Sequence, residues 1–148
     1  TTFLDGLSKT YRYLLRSGDN ELVTLEEEIG FIKTFVQLQK TRFEAGLQLA
    51  IDLPDSVMNK RIAPVTIQGL IENAIKHNSI TEEAPLFITN YTEADTLIVK
   101  NNLQRIINPE TSNKKGLSAL KTLYGYLSQR PVIVKEDGIH FYVAVPLL

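Results

Sequence analysis

With 148 residues, 43% of them hydrophobic, the chain can build one domain with a genuine core. Its 16 Lys and Arg nearly cancel 17 Asp and Glu, a formal net charge of −1, so it lacks the basic excess of a nucleic-acid surface. It has no cysteine, which excludes disulfides, thiolate metal sites and a cysteine nucleophile.

Apolar runs are too short to cross a bilayer and no signal-peptide pattern opens the chain. Leu4, Leu7, Tyr11 and Leu14 recur at alternating three- and four-residue steps, a short coiled-coil-like stripe that begins almost at Thr1. The absence of an initiator methionine and this abrupt helical start predict a fragment of a longer protein. Gly18-Asp19-Asn20 breaks the pattern. Thr24 then precedes Glu27 by the capping-box spacing, predicting a long helix striped by Leu25, Ile29, Ile32, Val36 and Phe43 and ended by Gly46. Two such stripes fit a helix pair, or one helix docked on the following domain; plain intramolecular packing accounts for them equally well.

Leu47, Leu49, Ile51 and Leu53 alternate as in a half-buried strand, stopped by Pro54-Asp55. Pro64 suits an early position in the next helix, because proline lacks an N–H that would be orphaned there. Strands are predicted over Leu86–Tyr91 and Thr96–Lys100, joined by a polar turn at Thr92–Asp95. A helix from about Gly116 to Ser128 turns Leu117, Leu120, Tyr124 and Leu127 inward. Pro131–Lys135 and Ile139–Pro146 form a closing hairpin around Asp137-Gly138, a strong hairpin dipeptide. This order predicts an α+β fold: a two-layer sandwich, its mostly antiparallel mixed sheet carrying helices on one face, with an N-terminal helical extension.

The run Leu70-Ile71-Glu72-Asn73-Ala74-Ile75-Lys76-His77-Asn78 carries the chemistry. On a helix, residues three and four apart share a face, so Glu72 lies above Lys76, and Asn73 above Lys76 and His77. Ile67, Leu70, Ile71, Ala74 and Ile75 fall mainly on the core side. A carboxylate and an amide oxygen are hard ligands suited to Mg²⁺, which keeps several waters and takes few protein ligands beside substrate phosphates. Lys76 and His77 add positive charge or donors for those phosphates. An ordinary amphipathic helix with a solvated face has the same pattern.

The run LIENAIKHN resembles the N-box of sensor histidine kinases of the autolysin-regulator (LytS/YehU-like) family, whose ATP-binding domain belongs to the GHKL superfamily. VTLEEEIGFIKTFVQLQKTRFEAGLQLAID (Val23–Asp52) and RIAPVTIQGL are similar to the segments that lead into that box. The resemblance implies a Bergerat-type catalytic domain over residues 45–148, preceded at 1–44 by the end of a dimerisation segment and a linking helix. It implies ATP and Mg²⁺, with Asn73 on the metal and Glu72 as the catalytic group polarising the attacking histidine or water. Lys76 and His77 would then face the phosphates. Gly69, on the same side, would let the ligand approach closely; as a mild helix defect it needs no such role.

Two later boxes depart from the family pattern. Asn101 stands where the adenine-reading aspartate of "DNGxG" belongs, with Asn102 after it and Leu103 in place of a glycine. A neutral acceptor is weaker there than a charged one. In the lid, Gly116 and Leu117 survive, while Lys114 and Ala119 replace a glycine and an asparagine, and Leu123 stands near the place of an arginine. Lys114 and Lys115 could hold phosphate by charge, or simply be solvated. The phosphoacceptor histidine of the family lies upstream of this sequence, and neither His77 nor His140 has its context, so the fragment is not expected to autophosphorylate alone. The resemblance further implies a homodimeric, membrane-anchored parent whose cytoplasmic domain this is, a response regulator as partner (LytTR-type regulators among the candidates), and no direct nucleic-acid contact. A degenerate pseudokinase, a GHKL-shaped scaffold for dimerisation and signal relay with weak or no nucleotide binding, is the alternative.

Overall fold

The computed structural model describes residues 22–106 and 114–148; the Leu4–Leu14 stripe and the Gly18-Asp19-Asn20 break lie outside them. A short strand, β1 (Val23–Thr24), leads into α1 (Leu25–Phe43). Thr24 is the N-cap: its Oγ1 accepts from the Glu27 N–H at 3.2 Å, and its hydroxyl donates to Glu27 Oε1 at 3.2 Å. The capping pair forms as its spacing predicts, although the glutamate closes on the hydroxyl rather than on the Thr24 N–H. Three glutamates in the first turn and Lys40 and Arg42 in the last complement the helix dipole. Leu25, Ile29, Ile32 and Val36 are buried, with Phe43 at the margin of the core.

A 3₁₀ turn at Glu44–Gly46 delivers the chain into β2 (Leu47–Asp52). Glycine fits closely at 46: a Cβ there would meet Ile80 Cγ2 at 3.0 Å and the Thr81 carbonyl carbon at 3.1 Å, so these neighbours would have to give by a few tenths of an ångström. After a second 3₁₀ turn come β3 (Arg61–Ile62), which pairs antiparallel with β1, and α2 (Thr66–His77). Then follow β4 (Leu86–Glu93), β5 (Thr96–Asn102), α3 (Lys114–Leu127), β6 (Ile133–Glu136) and β7 (His140–Pro146). The main sheet has the order β2-β4-β5-β7-β6. Only β2 and β4, joined by the crossover that contains α2, run parallel; the other neighbours are antiparallel. This is the α+β architecture expected. The β4–β5 connection is tighter than expected, two residues with Ala94 at φ 50° rather than Thr92–Asp95.

Register puts Leu47, Leu49 and Ile51 beside Leu86, Ile88 and Asn90, and these beside Val99, Asn101, Val143 and Phe141 on one face. That face meets the helices in a single core shared by α1, α2, Tyr124 of α3 and the strands. Asn90 interrupts the apolar column. It is 0% exposed, flanked by Ile51 and Val99, and both its Nδ2 and Oδ1 lack a hydrogen-bond partner. A buried polar group left unbonded costs about 1–3 kcal/mol. Asn90→Val, β-branched and suited to a central strand, is therefore expected to raise the unfolding free energy by about 1–3 kcal/mol. Urea denaturation would show this as a higher midpoint with an unchanged slope; a lower midpoint would mean that the amide is satisfied in solution.

Candidate functional site

Pro64, expected early in the helix, lies outside it: α2 begins two residues later, at Thr66. Ala63 O accepts the Thr66 N–H at 3.4 Å and the Thr66 hydroxyl at 2.7 Å, closing a turn over 63–66. Pro64 occupies the second position of that turn, which its fixed φ favours. Val65 is the N-cap, in the left-handed region at φ 57° and ψ 18°, and offers no side-chain cap. The third position of such a turn usually falls to Gly or Asn; a β-branched residue there is strained.

Other elements hold this turn. Glu28 of α1, 0% exposed, accepts the Val65 N–H on Oε1 at 3.2 Å and the Ile67 N–H on Oε2 at 3.0 Å. The Tyr124 hydroxyl of α3 accepts the Ala63 N–H at 3.1 Å and lies 2.9 Å from Thr66 Oγ1. Neither role was read from the sequence. The signal for Glu28 was present: it falls within the buried stripe, three residues after Leu25 and four before Ile32. A carboxylate at a core position needs a buried partner.

Between α2 and α3 lies a groove of about 420 Å³. Glu72, Asn73 and Lys76 line one wall beside Gly69, and Leu117, Leu120 and Leu123 face them from α3. Glu72, Asn73, Lys76 and Leu117 thus meet in one place. Glu72 is exposed, and its Oε1 accepts from Gln68 Nε2 at 2.8 Å, so its bonded neighbour is one turn back rather than Lys76. Gly116 sits in the first turn of α3, next to the groove-lining Leu117.

His77, Asn101 and Asn102 do not line the groove. His77 sits on the flank where the chain after β5 crosses α2: its carbonyl accepts the Ile106 N–H at 3.1 Å, and its Nε2 is buried without a partner. Burial first, then Lys76 and Arg105, lower its pKa below the ordinary histidine value, which disfavours the cation a phosphate would want. Asn101 is 5% exposed and its amide donates to Asn102 O at 2.8 Å. Asn102 is engaged at both ends of its amide, accepting the Phe87 N–H at 2.7 Å and donating to Pro85 O at 3.1 Å. Gln104 donates to Ser79 O and Ala84 O at 2.9 Å, and its own N–H is taken by Asn78 Oδ1 at 2.8 Å. The Asn101–Gln104 run, expected at the base, thus ties the exit of α2 to the start of β4.

Among the described residues, no three His, Asp or Glu side chains cluster to hold a metal on their own. A carboxylate and an amide oxygen beside a lysine suit a cation that arrives with most of its ligands already supplied by water and phosphate. The groove fits that kind of metal and no dedicated cage. No described helix is long and apolar enough to cross a membrane.

Residues 1–47 match the histidine kinase family model. A protein described as an uncharacterized sensor-like histidine kinase of Staphylococcus epidermidis is 40% identical over 88 residues, 60% of this chain and 17% of that protein. The sensor protein kinase HptS of Staphylococcus aureus is 36% identical over 87 residues, 59% of this chain and 17% of its own length. The matched stretch therefore spans less than a fifth of these relatives. Among solved structures, histidine kinase AdeS of Acinetobacter baumannii superimposes over 97% of this chain and 78% of its own, with a TM-score of 0.54 and 17% identity. The catalytic domain of histidine kinase ThkA, in a nucleotide-free form, covers 86% of this chain and 98% of its own at a TM-score of 0.56 and 12% identity. At such identities the likeness is one of fold.

Proposed function

We propose that this chain, a homologue of the sensor histidine kinases carrying the fold of their catalytic domains, binds ATP with Mg²⁺ in the α2–α3 groove. In the longer protein it would serve as the ATP-binding catalytic domain of a homodimeric kinase. The γ-phosphate would pass to a histidine upstream of this fragment and then to an aspartate of a response regulator. The observation that carries the reading is the assembly of Glu72, Asn73 and Lys76 on one wall of a groove whose opposite wall is apolar.

Bound magnesium would neutralise charge on the triphosphate. The chain's own residues do the rest by position and charge, as phosphoryl transfer requires. The Asn73 amide oxygen would hold that magnesium, and Lys76 would balance the remaining charge of the phosphates. Glu72, held by Gln68, accepts a hydrogen bond from the attacking imidazole and sets its tautomer. Leu117 and Leu120 cover the ligand from α3, and Gly116 leaves backbone free to approach it. Base recognition falls to the apolar half of the groove, because Asn101 can reach a nucleotide only if its cover moves.

The positions of Asn101 and Asn102 favour one other reading, a scaffold of the same shape with little nucleotide affinity. Calorimetric titration of the chain with ATP, with and without Mg²⁺, separates the two. Saturable, magnesium-dependent heat at submillimolar nucleotide is expected; no heat at millimolar nucleotide would leave the scaffold.

A further inference from the structure

We infer that Glu28 is the positioning residue of the groove: its buried carboxylate supplies the N-terminal cap that α2 lacks, so the seating of α1 fixes the wall carrying Glu72, Asn73 and Lys76. The consequence for nucleotide rests on the function proposed above, whereas the capping itself does not.

Most helices take their cap from the residue at their own start, usually Ser, Thr, Asp or Asn. Val65 stands at that place in α2, left-handed and without a capping side chain. The Ile67 amide, which such a cap would serve, and the Val65 amide itself are instead divided between the two oxygens of one carboxylate, 39 and 37 positions away in sequence. A local cap would hold α2 wherever α1 happened to be. This one holds only while α1 is docked.

Placement makes the dependence matter. Val65 and Thr66, held on either side by Glu28 and Tyr124, themselves line the groove, one turn before Gly69 and two before Glu72 and Asn73. If the carboxylate withdraws, the strained Val65 conformation loses its hold, and the first turn of α2 is free to unwind or tilt. Glu28 also lies within residues 1–47, the stretch matching the histidine kinase family model, whereas the amides it caps lie outside it. The bond therefore runs from one stretch to the other, and a shift of α1 along its axis reaches the groove without any ligand contact of its own.

The test uses Glu28→Gln, which keeps the shape but offers one acceptor oxygen and places an NH₂ against the second amide. Amide exchange followed by NMR should accelerate at Val65 and Ile67 about tenfold more than at Ile88 and Val99 in the sheet, and the Kd for magnesium ATP should rise about tenfold. Adding Val65→Asn, a residue that tolerates the left-handed region and can cap the Ile67 amide locally, should restore protection at Ile67 and the Kd. A residue that merely fills the core would give uniform exchange and no rescue. Exchange at 65 and 67 that tracks the sheet in Glu28→Gln, or a double variant no better than the single, would overturn the inference. Should Glu28→Gln fail to fold, recovery of the fold on adding Val65→Asn supports capping and continued failure refutes it. A wild-type chain that binds no nucleotide would remove the proposed function, while the exchange data would still decide the role of Glu28.

Discussion

Asn73→Ala is expected to raise the Kd for magnesium ATP by about a hundredfold, on the scale seen when a group that orients a metal is removed. Alanine is the best helix former, so α2 should persist and the far-ultraviolet circular dichroism should match the wild type. Without magnesium the two proteins should bind equally poorly, because the proposed role of the amide oxygen is to hold the metal. Lys76, one turn along the same wall, would still attract the triphosphate, and this residual attraction should weaken with salt. Glu72→Gln should part from this pattern: binding kept near the wild-type value, transfer to a supplied histidine-bearing domain lost. An Asn73→Ala protein that binds as tightly as wild type would end the assignment of this wall to a metal-bound triphosphate, and unchanged transfer by Glu72→Gln would remove Glu72 from the role of polarising the attacking imidazole.

What could be read in the sequence was local. The Thr24–Glu27 spacing, the α1 stripe and the strand alternation each follow from contacts within a few residues. The Asp137-Gly138 turn is another case: Gly138 takes φ 88° and Asp137 Oδ1 accepts the N–H groups of Ile139 and His140 at 2.9 and 2.7 Å. The Glu72, Asn73 and Lys76 face was legible for the same reason, since helical geometry alone places it. What escaped depends on which element covers which edge. His77 is about 80° around the helix from Gly69, and the strand exit through Ile106, not the groove, meets that edge. Asn101 and Asn102 looked like base readers by position, yet Asn102 is spent on Pro85 and Phe87, segments whose proximity only the register of β4 and β5 creates. Glu28 is the clearest case. Its place on an apolar stripe signals burial, but its partner lies in a turn beyond the next two strands, and no local rule reaches that far.

Tyr124→Phe should destabilise the chain at neutral pH and cease to do so in strong alkali. Thr66 Oγ1 spends its proton on Ala63 O, so the tyrosine donates to Thr66 while accepting the Ala63 N–H. Phenylalanine would leave that N–H buried and unbonded, a cost of about 1–3 kcal/mol. Burial pushes the Tyr124 hydroxyl up to about 12, against 10.0 for an ordinary tyrosine. Between these values the unfolded chain releases the proton and the folded chain keeps it, so proton binding favours the folded state less with each step in pH. The stability Tyr124 contributes is thus complete below pH 10.0 and is lost as pH rises toward about 12, a fall of about 2–3 kcal/mol. Tyr91 and Tyr142, whose pKa values are also raised, titrate in both proteins and cancel in the comparison. Urea denaturation of wild type and variant at neutral pH and at intervals above pH 10 should therefore give two curves that converge and meet near the top of the range. A gap that stays constant across it would show that the phenol keeping the 63–66 turn beneath the groove is not the group that titrates.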